Sequence, residues 1–139
     1  MNKYMEVAIE EAKQSLLSED IPVGALIIKD DKIISKAHNE KELQKDVTKH
    51  AEILAIERAC KKLNTWHLDE CVLMTTMEPC MMCSGAIVQS RIKKIIYGVD
   101  NEKFGYSKLL KEKYKVECIK YESNEQIIEL LRNFFKERR

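Results

Sequence analysis

The 139-residue chain has no apolar run long enough to cross a bilayer, so no membrane partner is expected. Its four glycines and two prolines are scattered, and it has no repeat or low-complexity segment. Nothing reads as a linker; one domain over residues 1–139 is the expectation, long enough to bury a core. A dominant charge is also missing. The net charge is +1, so no global field demands a polyanion, although local patches still decide binding. Five cysteines are an odd number, without the density of a disulfide-stapled secreted domain. The opening MNKYMEVAIEEAKQSLL carries acids and reads as an amphipathic helix, not a signal peptide. A cytoplasmic setting with reduced thiols is expected.

What is present alternates between strand and helix. A first helix is predicted from about Asn2 to Leu17, broken by SEDIP. VGALIIK and KIISKAH read as two strands around a tight Asp30-Asp31 turn, followed by a polar loop, NEKELQKDV. From Thr48, Ile53, Ile56, Cys60 and Leu63 recur near a 3.6-residue period, and Asn64 is a stop signal. Then come strand CVLMTTM, a helix opening at Pro79, strand KKIIYGV, a partly helical polar segment and strand VECIKYE. Ser123 and Gln126 stand at capping-box spacing ahead of a last helix through IIELLRNFF. An antiparallel start and strand–helix alternation afterwards predict a three-layer α/β/α domain with a mixed five-stranded sheet.

The stretch EPCMMC carries the chemistry. Pro79 suits the first turn of a helix, and one turn separates Cys80 from Cys83 on one face. The helix dipole there favours thiolates. A lone CxxC has several uses. Haem attachment needs a histidine after the second cysteine, where Ser84 stands, and a zinc ribbon needs a second close pair, whereas Cys60, Cys71 and Cys118 are isolated. A thioredoxin-like redox pair stays open, but it leaves His50 unexplained. His50 begins the other central helix, and one nitrogen with two thiolates makes a three-ligand zinc set with a fourth position for water. Glu52, two residues on, is within reach of that water as a general acid/base. Taken alone, His50 reads as a partly exposed structural residue and Glu52 as a helix-start acid favoured by the dipole; the pair and the neighbouring cysteines change that reading.

HAE at 50–52 followed by PCMMC at 79–83 resembles the zinc-dependent nucleobase deaminases, whose signature is H-x-E…P-C-x-x-C. Within that superfamily IPVGALII, AHN at 37–39, DVTKHAEILAI, EPCMMCSGAIVQSRIKKIIYG and LLRNFFKERR are similar to the tRNA-specific adenosine deaminases, which convert the wobble adenosine of an anticodon to inosine. The resemblance implies a cytidine-deaminase-like fold, a homodimer, one Zn2+ per subunit and a tRNA anticodon loop splayed into a pocket. It implies His50, Cys80 and Cys83 as metal ligands, Glu52 as the proton shuttle, and Asn39, Ala51 and Pro79 at the substrate.

Departures from the family pattern bear on the substrate. Val47 stands where proline is usual, Asn101 where aspartate is usual and Val99 where alanine is usual, and the segment after the fourth strand is several residues short. A salvage deaminase acting on free cytosine, guanine or a nucleoside is the alternative. A non-catalytic zinc-binding partner subunit is a third reading, opposed by the intact Glu52. Phe104 and Tyr106 in the altered loop are candidates for base stacking or for packing. Lys93, Lys94, Arg132, Lys136, Arg138 and Arg139 are candidate phosphate contacts or a solvated helix end. The apolar content of SGAIVQSRI is high for one buried stripe, which favours a dimer.

Overall fold

This computed structural model describes residues 2–138. Alternating side chains build its centre. Along β1 (Gly24–Lys29), Ala25 and Ile27 face one way, with Leu26 and Ile28 opposite. In β3 (Val72–Met77), Leu73 and Met74 divide in the same way, as do Ile95 and Ile96 in β4 (Lys94–Val99). A strand that is apolar on both faces needs a helical layer on each. One layer holds α1 (Asn2–Gln14) and α6 (Glu125–Glu137); the other holds α3 (Ala51–Leu63), α4 (Met81–Gln89) and α5 (Ser107–Tyr114). With β2 (Lys32–His38) and β5 (Glu117–Lys120), the sheet order is β2-β1-β3-β4-β5. β1 and β2 pair antiparallel, and the β3–β4 and β4–β5 pairings are parallel, as expected; β1 also pairs antiparallel with β3.

Several boundaries differ from expectation. Asp30 and Asp31, both at positive φ, make the hairpin turn, and Asn64 ends α3 at φ 56°, as read. The first helix stops at Gln14, and a 3-10 turn takes the chain on to Ser18. The polar loop contains a four-residue helix, α2 (Lys41–Gln44). The helix expected from Thr48 begins at Ala51, because the Asp46 carboxylate captures the Thr48 N–H and hydroxyl at 2.9 and 2.7 Å in a turn of its own. The helix expected from Pro79 begins at Met81, with Cys80 extended before it. No capping box forms at Ser123 and Gln126. Asn124 is the N-cap, and its amide is drawn away to donate to the Gly98 carbonyl at 2.7 Å.

Gly24 shows how tightly the layers meet. A Cβ there would lie 2.0 Å from the Ala8 carbonyl oxygen and 2.8 Å from the Ala12 nitrogen, both backbone atoms of α1. Gly24→Ala forces that helix off the sheet and is expected to cost about 1–3 kcal/mol. A chemical denaturation curve checks the loss.

Candidate metal centre and active site

Two helix starts meet on one side of the sheet. α3 follows edge strand β2 and crosses over β1 to reach β3; α4 leaves β3 directly. Their N-cap residues, His50 and Cys80, are both extended (φ −81°, ψ 152° and φ −79°, ψ 179°), and Cys83 lies one turn into α4. His50 Nδ1 is 3.7 Å from Cys80 Sγ and 3.4 Å from Cys83 Sγ. Thirty residues of sequence separation have closed to contact.

The donor set can be tested against a tetrahedral ion. Metal–sulfur bonds of about 2.3 Å and metal–nitrogen bonds of about 2.0 Å demand N···S separations of about 3.5 Å. The observed pair brackets that value, and all three donor atoms lie within 4.8 Å of one another. Charge points the same way. The Cys83 thiol donates to Cys80 and His50 adds to it, which holds Cys80 down at about 3. The same contact, with burial, pushes Cys83 far up, and the Cys80 contact raises His50. Two facing sulfurs cannot both ionise cheaply without a cation between them. The residues fit a divalent metal.

Glu52 is not among those three donors, but its carboxyl faces Cys83. It is 4% exposed, in the first turn of α3, and burial pushes its carboxyl up to about 7, despite its own backbone N–H and His50. A buried acid whose carboxyl is pushed toward neutrality beside three possible metal donors is equipped to take up and return a proton.

The remaining expected residues sit close by. Asn39 joins α3 to the chain before β1: its Oδ1 accepts from Ala51 N–H at 2.8 Å and its Nδ2 donates to the Ile21 carbonyl at 3.0 Å. It thus caps a helix 12 residues away, a role that local spacing gave no sign of. Ala51 and Pro79 are both buried, and the Pro79 carbonyl accepts from Tyr106 N–H at 3.0 Å. Glu78 escaped sequence analysis. It accepts from Asn101 N–H at 3.0 Å, Ser107 N–H at 3.0 Å and the Ser107 hydroxyl at 2.5 Å. Its place directly before Pro79 was the one available signal. In the loop it gathers, Phe104 is exposed and Tyr106 half-buried.

The basic residues divide. Arg132, Lys136 and Lys93 are exposed, whereas Arg138 stacks on the Phe134 ring at 3.8 Å and reaches Glu19 at 3.5 Å. Arg139 lies outside the described residues. Cys60, Cys71 and Cys118 are free thiols away from the centre, their pKa values raised by burial.

The sequence profile of the MafB19-like deaminases matches residues 1–139. The chain belongs to that family. It is 45% identical over 142 residues to the tRNA-specific adenosine deaminase of Aquifex aeolicus (strain VF5), covering 98% of this chain and 94% of that one. To the tRNA-specific adenosine deaminase of Bacillus subtilis (strain 168) it is 38% identical over 98% of this chain and 89% of the relative. Among solved structures, one from a study of A-to-I editing by tRNA:A34 deaminases superposes with a TM-score of 0.87 at 29% identity, over 94% of this chain and 100% of that one. A guanine deaminase from Bacillus subtilis gives 0.68 at 36% identity, over 80% and 74%. This member of the family has the expected cytidine-deaminase-like fold. Among the described residues, no helix is long and apolar enough to cross a membrane.

Proposed function

We propose that the protein is a zinc-dependent hydrolytic deaminase that converts the wobble adenosine in a tRNA anticodon loop to inosine. The observation that carries this reading is the convergence of His50, Cys80 and Cys83 beside the buried carboxyl of Glu52. Identity of 45% to a tRNA-specific adenosine deaminase over nearly the whole chain supports the substrate.

His50, Cys80 and Cys83 would hold one Zn2+ per chain. When bound, the ion supplies Lewis-acid activation of a water at neutral pH. Glu52 takes a proton from the attacking water and delivers it to a ring nitrogen as the amine-bearing carbon becomes tetrahedral. It then conducts a second proton to the departing amino group, so that water is consumed and ammonia leaves. Asn39 has one amide N–H beyond that spent on Ile21, and with it holds the target base. Ala51 and Pro79 border the pocket. The working unit is one domain in a cytoplasmic homodimer. At the start of α4 the large apolar side chain of Met81 is exposed, which supports a helical interface; a monomeric light-scattering mass at micromolar concentration would remove that assembly.

Incubating the zinc-loaded protein with unmodified tRNA carrying a wobble adenosine is expected to give stoichiometric inosine by nucleoside mass spectrometry. Similarity to a guanine deaminase structure supports a second reading, deamination of free guanine. No inosine together with xanthine from guanine would exchange the two.

A further inference from the structure

Glu78 does more than a residue before a buried proline requires. Both of its carboxylate oxygens are committed: Oε1 to Asn101 N–H, Oε2 to the N–H and hydroxyl of Ser107. These are the two ends of one loop. Within it, Gly105 N–H donates to the Asn101 carbonyl at 2.8 Å, and Phe104 N–H donates to the Asn101 side chain at 3.1 Å. Tyr106 N–H fastens the loop to Pro79, one residue from Cys80. Gly105 lets the carboxylate in: a Cβ there would lie 2.4 Å from Glu78 Oε1 and 2.5 Å from the Asn101 carbonyl oxygen. On this tightly bonded loop Phe104 is 66% exposed, with exposed Lys103 beside it and exposed Lys108 just beyond. An aromatic face flanked by cations suits a base in a polyanionic strand.

We propose that Glu78 is a positioning residue whose carboxylate latches the 101–107 loop to the start of α4, holding Phe104 out as a stacking surface for a nucleobase next to the reacting one. The latch stands on the hydrogen bonds alone; its consequence for RNA rests on the function proposed above. Glutamine cannot replace the carboxylate, because its NH2 would face an N–H donor. Gly105→Ala attacks the same latch from the opposite side while leaving Glu78 in the chain.

The test uses the full-length zinc-loaded protein and three variants, E78Q, G105A and F104A. Amide exchange at Asn101 and Ser107 is expected to accelerate about 10- to 100-fold in E78Q and G105A, with bound zinc unchanged. On an anticodon stem–loop RNA, KM is expected to rise about 5- to 100-fold in each variant with kcat little changed. F104A should add little in the E78Q background, since a released loop no longer presents the ring. Unchanged exchange in both latch variants overturns the latch. Faster exchange with unchanged KM, or fully additive E78Q and F104A effects, overturns the link to RNA. If E78Q fails to fold, G105A decides. If the unaltered protein leaves the RNA untouched, the function proposed above has failed, and the exchange result still judges the latch.

Discussion

Glu52→Ala is expected to lower kcat by about 10²- to 10⁴-fold while the protein keeps one zinc per chain. Retention of metal follows from geometry, since the three donors converge without Glu52. The loss of rate follows from burial. Position 52 is 4% exposed, so bulk solvent is poorly placed to replace the carboxyl as a proton carrier. Burial also raises its carboxyl above the usual carboxylate range, which favours uptake of a proton. Glu52→Gln makes the sharper test. It keeps volume and hydrogen bonding but removes proton transfer, so its rate should fall with that of the alanine variant. Near-normal turnover in either, with zinc measured in place, would refute the shuttle role.

Cys83→Ala is expected to abolish both metal retention and turnover. The sulfur belongs to a fully buried residue 3.4 Å from His50 Nδ1, and a neutral water in its place would not supply the charge of a thiolate donor. Metal bound only by the folded chain stabilises it by about 2.7 kcal/mol at a concentration 100-fold above its dissociation constant. Chelation should therefore lower the Tm of the unaltered protein and leave that of Cys83→Ala where it is. Zinc content by elemental analysis after dialysis and paired thermal scans check both halves. A chelator-insensitive Tm in the unaltered protein would count against His50, Cys80 and Cys83 as ligands.

Much of this architecture was legible because strands buried on two sides read as near-continuous apolar runs. Ala25 and Ile27 against Leu26 and Ile28 could belong only to an inner strand, and the donors stood out through spacing and type. Helix starts were less legible. Thr48 and Pro79 are ordinary opening residues, but the Asp46 turn and the extended Cys80 each delay the helix. Those delays put His50 and Cys80 at N-cap positions from which the two can meet. Contacts made at long range left no local trace at all. Asn39 capping Ala51, Asn124 donating to Gly98 and Glu78 gathering Asn101 and Ser107 each pair residues that no periodicity relates.

The two margins of the sheet also limit how copies of this chain can associate. At one margin, β2 carries exposed Lys32 and Lys36, and its register with β1 slips between Ile27 and Ile28. At the other, β5 offers only four residues. Charge, irregularity and shortness are the means by which sheets discourage a foreign strand from joining them. Growth into extended stacks of strands is disfavoured from either side, and contact between copies is left to the helical faces, where it can close into a finite assembly.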